Sequence, residues 1–571
     1  MSHDVTGVCG QMLVRLVVSA GIVCGLYGCQ GDAEQSAAKS AAKSNAATEN
    51  ADSTASDSAA SDSATDTPSV KPGSAVNASA TGAPTPLKPS AVRRPSQGPQ
   101  PLLEGWPQPA AALLLSGEQR GYLEPCGCTE TQSGGVSRRH DLIRQLRQRG
   151  WSVAGLDLGG SVRRNRRQNQ IKFETLLTAW KSMAYQAVGL GPTELRFGPD
   201  YLLSQHAAAD DDGQPEVAFV SANVTFYETE DLGTPIRMRQ FEVNGVRVAV
   251  TGVIGNSISK SVYPQGSQVE VTFADPATSI KSILPAMQEP KPDLMVLLSF
   301  AKMDESRELA KKFPEFDVVL TAGGVEDPRG KPEAIGKTWL IDVGHKGKSV
   351  GVLGVFPDAE PRLRFELVNL DKERFEDSPE MVELMKFYQE RLRDERIVLT
   401  ELPIEPPGGR GAVYVGAEAC GECHTRAYEK WQSTPHAHAY DSLKQAHGGF
   451  SEHVLNRVYD PECLACHVTG WAPQRVLRFR SGFVNTEFLE DAVKQAHSRK
   501  LQGQQCESCH GPGSRHIELI QADQVAQAAS EVRVTLKTAK EKTCVACHDL
   551  DNSPHFEFDA YWKKVAHPWR D

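Results

Sequence analysis

Cys420-Gly-Glu-Cys423-His424, Cys463-Leu-Ala-Cys466-His467, Cys506-Glu-Ser-Cys509-His510 and Cys544-Val-Ala-Cys547-His548 repeat one pattern four times in a chain of 571 residues. Cys-x-x-Cys-His is the attachment signature of a c-type haem. Cysteines three apart stand on one side of a helical turn, where both thiols reach the vinyl groups of one porphyrin. The histidine that follows turns its ring toward the iron. Zinc sites and disulfide pairs also use Cys-x-x-Cys, but neither needs a histidine after every pair, and here all four pairs have one. The spacing predicts four haems c. Thioethers would form at Cys420, Cys423, Cys463, Cys466, Cys506, Cys509, Cys544 and Cys547, with His424, His467, His510 and His548 as proximal iron ligands.

Of the 13 cysteines, eight lie in these motifs and Cys9, Cys24 and Cys29 lie near the N-terminus, leaving Cys126 and Cys128. Arg15 precedes an apolar run over 16–27. That is the length of a secretion signal and too short for an ordinary membrane span. The run ends in Leu26-Tyr27-Gly28-Cys29, which resembles a bacterial lipobox and implies lipidation at Cys29. Tyr27 is bulky for that pattern, and plain export is the alternative reading. Either way the chain is expected outside the cytoplasm, periplasmic or at the outer surface, where bacterial systems attach haem c. A lipid would tie it to a membrane.

At this length two or three domains are expected. A net charge of −10 offers no basic field for nucleic acid. Residues 30–105 are Ala, Ser, Thr, Asp and Pro with few large apolar side chains. Such a stretch cannot offset its ordering entropy and reads as a disordered tether. From 106 to 370 short apolar runs alternate with helical segments. Strands are expected over 110–115, 153–158, 217–222, 246–253, 294–300 and 318–321, and helices over 142–149, 173–184 and 305–313. This is an α/β pattern. A charged amphipathic helix is expected over 371–396, with a Pro/Gly linker closing the segment 371–412. The haem motifs occupy 413–571.

Gly121-Tyr-Leu-Glu-Pro, Gly134-Gly-Val-Ser-Arg-Arg139, the run 153–160 and Gly191-Pro-Thr-Glu194 resemble, in order and rough spacing, the catalytic domain of the 5′-nucleotidase-type metallophosphatases. The resemblance implies an α/β sandwich over 106–370. That family binds two metals through an Asp-x-His, a strand-end Asp, an Asn-His pair and a Gly-His-x-His turn. The matching positions here are Glu118 and Arg120, Gly160, Pro192 and Thr193, and the turn from Ala322 to Val325. The expectation is a domain without a dinuclear metal centre, its histidines His140, His206 and His345 lying in no ligand spacing. Cys126-Gly-Cys128 reads as a turn, a strained bridge, a redox pair or a soft-metal site. Arg163-Arg-Asn-Arg-Arg167 is expected to be a solvated loop, with binding of an anion or an acidic partner as the alternative.

Tyr414-Val-Gly-Ala-Glu-Ala-Cys420, Tyr459-Asp-Pro-Glu-Cys-Leu-Ala-Cys-His467 and Cys506-Glu-Ser-Cys-His-Gly-Pro-Gly-Ser-Arg-His516 resemble the tetrahaem cytochrome family typified by the electron carrier of ammonia oxidation, cytochrome c-554-like. The resemblance implies a mainly helical module moving electrons among periplasmic redox proteins. It favours His436 or His438, His516 and His567 as distal iron ligands, with His447 or His453 for a fourth site. His497 and His555 are the other candidates by count. Four haems in about 160 residues leave little space for an independent apolar core, so the porphyrins should form much of it. Trp431, Trp471, Trp562 and Trp569 either wall them in or pack elsewhere. Iron with two histidines suits electron transfer, whereas an open face would bind a small nitrogen or oxygen compound. A third possibility is a phosphoesterase with an unfamiliar metal set.

Overall fold

Two sheets carry the middle of the chain. The computed structural model describes residues 101–125, 133–205, 216–230, 232–264, 270–328, 330–405, 411–445 and 455–568. Cys29 and the rest of the leader, the stretch 30–100, Cys126, Cys128, His206, His447, His453 and Trp569 lie outside the described residues. The first sheet runs in the order β14 (Leu363–Asn369), β13 (Ser349–Val355), β1 (Ala111–Ser116), β2 (Val153–Asp157), β3 (Tyr185–Gly189), β4 (Ala218–Val220). The second runs β11 (Glu333–Ile335), β12 (Thr338–Ile341), β10 (Val318–Thr321), β9 (Leu294–Phe300), β7 (Val246–Ile254), β6 (Arg239–Val243). A ribbon of β5 (Val224–Phe226) and β8 (Val271–Phe273) lies apart from both.

β1 to β4 are parallel, as are β7, β9, β10 and β12, while antiparallel strands close the edges. Parallel strands covered on both faces are continuously apolar, and every residue of β1 is buried. Alternation along β9 shows what covers it. Leu294, Val296 and Leu298 join the core shared with the first sheet. Met295 and Leu297 meet Ile280, Ile283 and Met287 of α3 (Pro276–Met287) and Leu309 of α4 (Met303–Lys312). On the first sheet, α1 (Val136–Gln148) and α2 (Arg167–Ser182) pack over β2 and β3. The result is helices, sheet, sheet, helices: an α/β sandwich.

All six expected strands and three expected helices are present; 294–300 and 318–321 match end to end and the others have shifted ends. α1 begins at Val136 instead of 142 because its first turn buries polar side chains, Ser137, Arg138 and Arg139, which hide the apolar period. The amphipathic helix spans Pro379–Asp394 (α5), shorter than 371–396, with Pro379 at its first position where a missing N–H costs nothing. Met381, Met385, Tyr388 and Leu392 are part of the α/β core. Leu103 is buried in that core too, two residues before the expected tether ends.

The C-terminal part is built from short helices, such as Thr425–Gln432, Ala492–Arg499, Ser514–Gln521 and Phe558–Val565. It has more apolar core than expected. Tyr440, Leu443, Leu464, Val468, Trp471, Phe483 and Leu501 cluster around the second motif. Beyond Cys506 the buried apolar side chains thin to Leu519, Ala528, Ala539 and Phe558. The short helices have little else there to pack on. No described helix is long and apolar enough to cross a membrane.

Candidate haem sites

Each motif forms a single turn of helix. The His424 amide donates to the Cys420 carbonyl (2.8 Å) and the His548 amide to that of Cys544 (2.9 Å). The second and third motifs lie in the helices Pro461–His467 and Cys506–His510. The thiol of Cys420 hydrogen-bonds that of Cys506, and Cys466 that of Cys547. The first motif therefore meets the third, and the second meets the fourth.

Three imidazole pairs face one another. His424 stands across from His516 with ring centres 6.3 Å apart, His436 across from His548 at 6.1 Å, and His510 across from His567 at 5.9 Å. Two metal–imidazole bonds of about 2 Å each, with each ring centre about 1.1 Å behind its nitrogen, require about 6 Å. The pairs fit an iron between them. The other ring nitrogen supports the same reading. Nδ1–H donates to a carbonyl in His467 (Ala439, 2.7 Å), His510 (Val532, 2.7 Å), His516 (Ala528, 2.9 Å) and His567 (Pro568, 3.1 Å). That fixes the tautomer and leaves Nε2 as the ligand atom. Burial pushes His436, His467, His510 and His548 below the ordinary imidazole pKa, toward the neutral form a metal needs.

His438, two residues from His436, is exposed and outside the three pairs. His497 spends Nε2 on the Ser481 carbonyl (3.1 Å), and His555 is exposed. Among the described residues no imidazole stands across from His467. Trp431 and Trp471 donate their indole N–H groups to the carbonyls of Gln504 (2.8 Å) and Phe483 (3.1 Å), and Trp562 stacks on Phe558.

The arginine run is not a solvated loop. Arg164 pairs with Glu462 (3.3 Å), Arg166 with Glu401 (2.9 Å) and the Val476 carbonyl (2.6 Å), and Arg167 with Glu395 (2.6 Å). Of these partners Glu462 and the Val476 carbonyl lie in the C-terminal part, whereas Glu395 and Glu401 lie in the segment before it. Around it Lys172, only 6% exposed, binds Glu462 at 2.6 Å. Gln168 and Tyr388 bind Asp460 at 2.8 and 3.2 Å. Arg457 binds Glu124 at 3.1 Å. Tyr122 donates to Asp551 (2.8 Å), which also binds Lys346. Asp460 and Glu462 lead into the second motif, and Asp551 follows the fourth.

Glu118 and Arg120, two of the positions singled out in the sequence, form an ion pair beside His345. Arg120 reaches Glu118 (2.7 Å) and His345 Nε2 (3.2 Å), and Glu118 reaches His345 (3.0 Å). His345, in no ligand spacing along the chain, is thus brought beside two of those positions. Nearby, the Ser161 amide and hydroxyl donate to the buried Glu194 carboxylate, and the Gly191 amide does so at 3.1 Å. Burial raises the Glu194 pKa despite those donors. A Cβ on Gly160 would stand 3.0 Å from Phe300 and 3.3 Å from Glu118. His140 is occupied by Ser378 (2.7 Å) and Glu380 (3.5 Å). The described residues contain no group of three or more His, Cys, Asp or Glu side chains arranged to hold a metal ion.

Comparison with known proteins separates the two parts. The chain is similar to a 5′-nucleotidase precursor from Thermus thermophilus, with TM-score 0.42 and 21% identity, over 52% of this chain and 61% of that one. It is similar to the calcineurin-like phosphoesterase YfkN from Bacillus subtilis, with TM-score 0.40 and 17% identity, over 50% of this chain and 98% of that one. Cytochrome c-554 of Nitrosomonas europaea is 25% identical over 173 residues, which is 28% of this chain and 64% of the relative's length. The chain thus spans under two thirds of that relative. The family model for cytochrome c554 and c-prime matches residues 419–511, taking in the first three motifs and ending before the fourth. Residues 419–511 form a cytochrome c554-like domain, and haem c is the group its motifs are built to hold.

Proposed function

We propose that the chain is an exported c-type cytochrome that carries electrons through four covalently held haems. The three imidazole pairs spaced at 5.9–6.3 Å carry this reading. Bound in these sites, haem iron would supply a one-electron couple, held by His424 with His516, His436 with His548 and His510 with His567. The chain's own residues do the rest. The carbonyls of Ala439, Val532, Ala528 and Pro568 fix the imidazole tautomers. The first motif meets the third and the second meets the fourth, so groups held at these motifs would lie near one another, as electron transfer requires. A haem count and electron paramagnetic resonance of the ferric protein test this. Four haems with at least three low-spin irons are expected; fewer than three low-spin irons sinks it.

A second reading makes the protein an oxidoreductase acting on a small nitrogen or oxygen compound. It is favoured by the lack, among the described residues, of an imidazole facing His467. One high-spin iron in four that shifts on adding a small exogenous ligand would support it. A fourth low-spin iron would mean that His467 has an axial partner outside the described residues, and would leave the carrier reading alone.

The α/β domain is proposed to have lost dinuclear hydrolysis, because such a site needs oxygen and imidazole donors converging on two cations. Here the Arg120 guanidinium lies against Glu118 and His345. Phosphate-ester turnover with Mn²⁺, Zn²⁺ or Mg²⁺, lost on deleting residues 106–370, would overturn this. Export, lipidation at Cys29 and partners among periplasmic redox proteins belong to the same proposal. Cys29→Ser should release the protein from the membrane fraction; retention would remove the anchor.

A further inference from the structure

The α/β domain makes its densest polar contact with the C-terminal part at the entry to the second motif. The helix Pro461–His467 carries Cys463, Cys466 and His467, and its first turn is held from outside. Asp460 caps it, accepting from the Glu462 amide at 2.8 Å, and takes further bonds from Gln168 and Tyr388. Glu462, directly before Cys463, takes Lys172 at 2.6 Å and Arg164 at 3.3 Å. Lys172 Nζ also donates to the Gly121 carbonyl at 2.9 Å.

The cations have little water around them, while the Glu462 side chain is 34% exposed. The Lys172 side chain is 6% exposed and that of Arg457 3%, and buried charges are screened far less than surface ones. A fixed positive charge near an iron favours its reduced form and a negative one its oxidised form. We infer that the α/β domain sets the redox potential of the haem on the second motif, through the opposed charges of Lys172 and Glu462. The inference rests on the haem reading above and gives the sandwich a task that needs no metal of its own. Lys172 is a positioning and tuning residue. The Asp460 cap and the Gln168 and Tyr388 contacts hold the motif helix in register with it.

The test is a redox titration of the full-length holoprotein followed by electron paramagnetic resonance, which distinguishes irons by their own signals. Lys172→Met should lower the midpoint of the second haem and Glu462→Gln should raise it. The double variant should return it toward wild type, and Lys172→Arg should leave it in place. The other three midpoints should stay put. Loosened packing would move both single variants the same way, so shifts of one sign, or none, overturn the inference. Mass analysis of the peptide holding Cys463 and Cys466 separates the two layers. A peptide without haem defeats the haem reading and the inference with it, whereas a haem-bearing peptide with unmoved midpoints defeats the inference alone.

Discussion

A histidine whose Nδ1–H is committed to a carbonyl can offer a metal only Nε2, and His516 and His567 are held in that way. His516→Ala should leave His424 without a facing ring. One iron should then pass from low-spin to high-spin, measured by electron paramagnetic resonance, while His438→Ala should leave the spectrum unchanged. The candidate proximal histidines stand out in the sequence because cysteine and histidine adjoin within one turn. The resemblance pointed to His436 or His438, His516 and His567, but which ring each would meet was not readable, because His436 and His548, or His510 and His567, meet only through the fold. Two candidates two residues apart, His436 and His438, look equivalent in the sequence and differ in burial and facing ring. Likewise nothing in the spacing of His345 showed that it would meet Glu118 and Arg120.

Helix Pro461–His467 starts on Asp460, whose carboxylate both caps the helix and binds Gln168 and Tyr388. Replacing a capping aspartate by alanine costs about 0.5–2 kcal/mol, whereas asparagine caps nearly as well. Asp460→Ala is expected to destabilise the holoprotein by about 2 kcal/mol and Asp460→Asn by much less, measured by denaturant unfolding. Strands such as β1 and β9 were readable because both faces are buried and the apolar run is unbroken. The start of α1 was not, since Arg138 and Arg139 are buried there among polar partners, Arg138 reaching the Leu370 carbonyl at 3.3 Å and Arg139 the Gln119 side chain. Periodicity reports apolar faces, and it is silent where a helix buries charge.

The parts on either side of residue 405 are tied by ion pairs, and their response to acid follows from Asp551. Burial works against its charge, but Lys346 and Tyr122 outweigh that and hold the carboxyl below the usual aspartate range. Its folded value lies below its unfolded one, about 3.9, so its stabilisation is fully present above that pH. It is lost as pH falls through the folded value. Unfolding free energies of wild type and Asp551→Asn should differ by a constant amount above about pH 4 and converge below it. The arginine run shows how far the sequence could take the whole molecule: its charge was evident, but of the carboxylates that meet it only Glu174 is near in sequence, while Glu395, Glu401 and Glu462 lie more than two hundred residues away. The thiol neighbours Cys420 with Cys506 and Cys466 with Cys547 have a consequence for biogenesis. A chain that folded before maturation, in an oxidising compartment, would cross-link those sulfurs and consume one attachment site in every motif. Non-reducing peptide mapping of protein made without the haem-ligation machinery should recover those two bridges. On the proposed haem reading, porphyrin ligation would then have to run ahead of folding.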